Sequence, residues 1–158
     1  MDPERRAKLL KKRSELQGRI DQAEFRDRIA YTVSKLREAG VAFDYLDEPQ
    51  PLSHWLQTSF PFGKASIEWW QVEHRHLPAD AGDHAVRQWL EQIGSEFGAT
   101  SQPVTALYGG FDPGLVLAWS DFVAQHAVLA SWECWFIPPR RDWVIEHAEE
   151  GWFYGRVA

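Results

Sequence analysis

His74 and His76 stand one residue apart in Glu73-His74-Arg75-His76. On a strand, alternate side chains share a face, so the two imidazoles would lie side by side in a geometry suited to holding a metal ion. A site needs a third ligand, which His54, Asp80 or His84 would have to supply. The competing reading is a solvated strand end running into a turn, and it is the better one, because His-x-His pairs are common by chance. The alternative built on the pair is a small metal-dependent hydrolase using His74 and His76.

Cys134 is the one cysteine in 158 residues. With His126 or His147 as base it has the makings of a nucleophile. Strand parity, however, sets Cys134 with Trp132 and Phe136 on a core face, where a thiol stays protonated and inert. His126, four residues after Phe122 on an apolar helix, reads as a core histidine bonded to backbone. No disulfide can form within the chain, which fits a reducing compartment. The pair Gly109-Gly110 lacks the later glycine and the lysine of a phosphate-binding loop. No catalytic set emerges, and the chain reads as a binding protein without cofactor rather than an enzyme.

Carboxylates are the abundant chemistry. Asp44, Asp47 and Glu48 cluster at one strand exit, and Glu133, Asp142, Glu146, Glu149 and Glu150 fall in the last quarter of the chain. A glycosidase would require two of them at a fixed separation beside a sugar cleft. A solvated acidic face, or a contact surface for a basic partner, requires only that they be exposed. The charge distribution favours the contact surface. Residues 1–40 carry 11 Lys/Arg against 7 Asp/Glu, a net +4, whereas residues 41–158 carry 6 against 16, a net −10. A body at −10 repels nucleic acid and anionic lipid and attracts basic proteins.

Aromatic content adds the second half of such a surface. There are 9 Trp, 9 Phe and 4 Tyr, which excludes a disordered chain. Trp89 and Trp143 have periodic apolar neighbours and read as core. Trp69 and Trp70 cannot both point inward from one strand, so one is exposed or covered by a loop. Trp70 beside acids is therefore a candidate contact residue. The partner-binding set expected from sequence is Asp44, Asp47, Glu48, Trp70, Glu146, Glu149 and Glu150.

The elements that carry these residues are set by local signals. Asp2 and Pro3 open a helix that Gly40 stops. Its apolar stripe changes side: Leu9, Leu16 and Ile20 lie on one face, and Phe25, Ile29, Val33 and Leu36 nearly opposite. Either the helix breaks near residues 20–24, or residues 2–20 form an arm that meets another surface, such as a second copy in a homodimer. The basic run Arg5 to Arg13, six cations in nine residues, reads as a solvated face rather than a nucleic-acid arm. Residues 1–22 are thus a possible arm and 23–158 a globular body within a single domain.

Residues 41–46 read as strand, 47–65 as irregular because of Pro49, Pro51, Pro61 and Gly63, 66–74 as strand and 77–82 as turn. Val86, Trp89, Leu90, Ile93 and Phe97 give helix 83–97, with Asp83 able to cap it and Gly98 to end it. Strands come next at 103–108 and 115–119, then a buried helix from Ser120 to about Ala130, then an antiparallel meander at 132–137, 142–147 and 152–157. The sum is an α+β fold: an antiparallel sheet with helices packed on one face, preceded by a long or broken N-terminal helix. No run approaches the roughly 18 apolar residues of a membrane span, and no apolar stretch comes after Met1-Asp2-Pro3-Glu4-Arg5-Arg6. The expected location is the cytoplasm.

The closing segment, Trp132-Glu-Cys-Trp-Phe-Ile-Pro-Pro-Arg-Arg-Asp-Trp-Val-Ile-Glu-His-Ala-Glu-Glu-Gly-Trp-Phe-Tyr-Gly-Arg156, resembles the final meander of small bacterial immunity proteins that accompany contact-dependent and other polymorphic toxins. The similar features are an aromatic strand, a short turn, Asp142-Trp143 opening a second strand, and Glu150-Gly151 before a third. The resemblance implies a small cytoplasmic protein that binds one cognate toxin and blocks it, often with acidic residues set against a basic nuclease site. It assigns no individual contact residue.

Overall fold

A computed structural model describes residues 2–109, 113–131 and 133–158, apart from the side chains of residues 21–26 and 28. Phe25 as a stripe residue, Gly110, Phe111 and Asp112 in the expected loop, and Trp132 at the head of the meander lie outside the described residues.

Helix α1 spans Pro3–Arg28 and helix α2 Ala30–Glu38. Asp2 caps α1 through its side chain, which accepts from the Glu4 N–H, and Pro3 occupies a first-turn position where its missing N–H costs nothing. The break falls at Ile29, not at residues 20–24. Ile29 is where the chain first meets the core: Ile29, Val33 and Leu36 are buried, whereas Leu9, Leu10, Leu16 and Ile20 are 50–58% exposed. The apolar stripe does change side, but helical hydrogen bonding persists beyond that change until packing forces the turn. Helix α1 is unbroken from Pro3 to Arg28.

Among the described residues, seven strands form one sheet: β1 (Phe43–Leu46), β2 (His74–Pro78), β3 (Pro103–Leu107), β4 (Gly114–Ala118), β5 (Cys134–Ile137), β6 (Trp143–Ala148) and β7 (Gly151–Arg156). Their order is β1-β4-β3-β5-β6-β7-β2, and each neighbouring pair is antiparallel. The α+β class with an antiparallel sheet and a preceding helix is thus the observed architecture.

The larger core lies on one face. There α2, α4 (Asp83–Phe97), α5 (Trp119–Ala124) and α6 (His126–Leu129) pack on Val104, Ala106, Leu115, Leu117, Phe136, Ile145 and Trp152. Gly98 ends α4 at φ 67°, in the left-handed region that a residue without Cβ occupies at least cost. Cys134 is fully buried in this core, and burial pushes its thiol well above the ordinary range. His126 is buried as well, with Nδ1–H donating to the Val123 carbonyl at 2.9 Å.

The opposite face is not bare. Helix α3 (Gln50–Ser59) and residues 60–72 cover it with a second, smaller core of Leu52, Leu56, Phe60, Ile67 and Trp69 against Leu107, Ile137, Val144 and Phe153. This corrects the expectation of an irregular 47–65 segment and adds one helix to the face expected to carry none. Pro49 is the N-cap of α3 and Pro51 sits in its first turn, where neither has a helical hydrogen bond to lose. Leu52 and Leu56, one turn apart, then supply the buried stripe.

The expected strand at 66–74 is also different. Residues 60–72 make a bridge between Phe62 and Ile67, then a 3-10 turn over Trp69–Gln71, and the strand begins only at His74. That strand runs to Pro78, through residues expected to start a turn. Among the described residues, no helix is long and apolar enough to cross a membrane.

Candidate functional site: an acidic sheet end beside a tryptophan-walled cleft

The register aligns Leu46, Gly114, Leu107, Trp135, Glu146, Phe153 and His76 in one transverse row across all seven strands. Paired residues share a face, and this row belongs to the face covered by α3 and residues 60–72. Glu146 is therefore roofed over, only 1% exposed. The Ile67 N–H donates to its Oε2 at 3.0 Å, the Trp135 Nε1–H to the same oxygen at 2.6 Å, and the Trp69 Nε1–H to Oε1 at 2.9 Å. Three neutral donors replace the water that a carboxylate would otherwise bind. Burial nonetheless outweighs them and raises the carboxyl above its ordinary value, with nearby Glu133 pushing the same way. The expectation of Glu146 on a partner-binding surface is corrected: it is the polar centre of the second core.

Trp69 and Trp70 divide, one inward and one outward, from the 3-10 turn that replaces the expected strand. Trp69 is buried and stacks on Phe153 at a centroid distance of 5.4 Å and 5° between planes, with His76 stacked on Phe153 in turn at 4.3 Å and 10°. Gly155 makes room for this ladder, since a Cβ there would come within 2.5 Å of the Trp69 ring. Trp70 is 80% exposed. Beside it a cleft of about 270 Å³ opens, walled by Trp69, Trp70 and Phe153 and edged by Glu68, Glu146 and Glu150. Glu68 and Phe153 are not among the site residues expected from sequence. Phe153 has the parity of the second face, and Glu68 enters through the 3-10 turn, which has no periodic signature.

Antiparallel pairing decides where the other acids emerge. The residues that come after β1 and β2, precede β5 and join β6 to β7 all leave the sheet at the same end. That end carries Asp47, Glu48, Asp80, Glu133, Glu149 and Glu150, every one exposed. Arg140, Arg141 and Arg156 leave at the opposite end, together with Asp142. Arg75, near the start of β2, is held there by Glu96 at 2.5 Å. The sheet is thus charged unevenly along its strands.

Of the expected partner-binding set, Asp47, Glu48, Glu149 and Glu150 meet at this end, and Trp70 lies next to it on the second face. Asp44 does not belong with them. It is exposed but sits mid-strand on the edge strand β1 opposite Val116, back toward the other end.

His74 and His76 do share the second face. His74 Nδ1–H donates to the Val72 carbonyl at 2.7 Å and His76 Nε2–H to the Glu150 carbonyl at 3.0 Å, and both rings pack against Phe153. Among the described residues, no group of three His, Cys, Asp or Glu is placed to hold a metal ion.

No protein-family model matches the chain, and no curated protein matches it significantly.

Proposed function

We propose that this protein is a protein-binding inhibitor, an immunity protein that neutralises a cognate basic toxin by masking its active or nucleic-acid-binding surface. One observation carries the reading: an end of the sheet bearing six exposed carboxylates next to Trp70, which is 80% exposed. Like charges gathered on one surface raise its potential and steer an oppositely charged partner toward it. An exposed indole at the margin supplies the apolar anchor that a charged surface lacks. The resemblance of residues 132–156 to immunity-protein meanders points the same way, and it implies that inhibition takes place in the cytoplasm.

The test is association of the purified chain with a basic toxin domain encoded beside its own gene. The association rate should fall at least about tenfold between roughly 0.05 and 0.5 M salt, and the toxin's activity should be lost in the complex. Absence of binding to that domain, or a rate indifferent to salt, removes the proposal.

A second reading concerns α1. Leu9, Leu10, Leu16 and Ile20 lie half exposed along it. A helix face of this kind gains stability by meeting another, so residues 2–20 are a candidate homodimerisation arm. Sedimentation of the full chain should then give a dimer, and of a chain lacking residues 2–20 a monomer. A monomeric full chain at high concentration would end this reading.

A further inference from the structure

We infer that the cleft walled by Trp69, Trp70 and Phe153 is a cation socket that accepts one arginine side chain of the partner. The identity of the partner rests on the inhibitory reading above; the preference of the cleft for a cation does not.

Charge comes first. Glu68, Glu146 and Glu150 edge the cleft, and among the described residues none of them is in an ion pair. The covering segment, residues 60–70, contains a single cation, Lys64, which pairs with none of the three. Glu68 accepts from Gln71 Nε2, and Glu146 is met only by neutral N–H groups. A carboxylate only 1% exposed and without a countercharge is unusual, because the low-dielectric surroundings penalise it unless a cation is near. The countercharge has space to enter, in a cleft of about 270 Å³ that opens beside Glu146.

Shape and wall chemistry then select among cations. Trp70 presents an open π face at the cleft, whereas the ring of Phe153 is already stacked against Trp69 and His76, and an open π face attracts a cation most strongly where water is displaced. A planar guanidinium stacks on such a face and can reach the Glu150 carboxylate with two parallel hydrogen bonds; a compact ammonium is better hydrated and does neither as well. Trp70 at the mouth, 80% exposed, has little to hold in the unbound protein and a ring to lay over the arriving side chain.

The experiment titrates the full chain with capped arginine amide and monitors the indole N–H signals of Trp69, Trp70 and Trp135 by NMR. Saturable shifts with a dissociation constant of roughly 1–10 mM are expected. Capped lysine amide should bind several-fold more weakly, and capped citrulline amide, which keeps the shape and loses the charge, should not saturate. Trp70→Ala and Glu150→Gln alter exposed residues and leave the fold intact. Each should weaken arginine binding by about three- to tenfold. Citrulline binding as well as arginine, no saturable shift at all, or unchanged binding in both variants would overturn the socket. Failure of the inhibitory reading gives a different pattern: arginine amide still binds, while the neighbouring toxin domain does not.

Discussion

Glu146→Ala should cost about 3–5 kcal/mol of folding stability, measured by urea unfolding, even though it removes a buried and uncompensated charge. Two effects oppose each other. Deleting the carboxylate relieves its desolvation. It also leaves the Ile67 N–H and the indole N–H groups of Trp69 and Trp135 pointing at a void. An unsatisfied buried donor costs about 1–3 kcal/mol, so three of them outweigh the relief. The loss is a large share of the roughly 5–15 kcal/mol typical of a domain. Glu146→Gln should cost about 2 kcal/mol, because one oxygen still accepts while the new NH₂ faces other donors. Glu149→Gln, at an exposed turn position, should stay within about 0.5 kcal/mol. An alanine variant as stable as the wild type would show that Glu146 does not hold the covering segment in place.

The same residue fixes a sign for pH. Burial raises the Glu146 carboxyl in the folded state above its ordinary 4.5. Between the unfolded and folded values the folded chain binds the extra proton, so this group's contribution to stability falls as pH rises through that window. Acidification from neutrality should therefore favour the wild type relative to Glu146→Gln. The comparison of the two pH profiles isolates the group from the other carboxylates.

Reversing Asp47, Glu48, Glu149 and Glu150 to lysine together should slow association with the basic partner by roughly 10- to 1000-fold at low salt. Residues 41–158 would go from −10 to −2, since each of the four changes adds two charges. Stability should change little, because all four positions are exposed. Reversing Asp44 and Asp142, which lie away from that end, is the charge-matched control for reversing Glu149 and Glu150 alone, and its effect should be much smaller. Equal effects from the two pairs would mean that overall charge matters and the sheet end does not. An unchanged rate in the fourfold variant would remove the proposed surface.

Much of the scaffold is legible in the chain. Helix α4 shows its stripe at Val86, Leu90 and Ile93 and its stop at Gly98, signals that act within a few residues. Parity sets Cys134 in the core; Trp70 does face outward and Trp69 inward, but from a 3-10 turn and not from the strand on which that division was expected. The meander of β5, β6 and β7 shows as apolar, aromatic-rich runs between short turns, buried on both faces. Helix α3 is obscured by Pro49 and Pro51, whose effect depends on whether they fall in the first turn or later, a matter of a residue or two. The break after α1 lies later than the stripe suggests, because a stripe can change side before the backbone turns.

Sequence by itself determined the charge imbalance between residues 1–40 and 41–158, the apolar runs and turns that mark the closing strands, and the stripe of α4, all properties of composition or of near neighbours. Only the tertiary structure decided which acids stand together and which one is sealed. Glu146 looks like its neighbours Glu149 and Glu150 along the chain, and it is buried by Ile67 and Trp69, which lie 79 and 77 positions away. Strand order likewise sends Asp47, Glu133 and Glu150 to one end and Asp142 to the other. Pairing register and the layer laid over a sheet are set by contacts between distant segments, and local pattern carries no record of them.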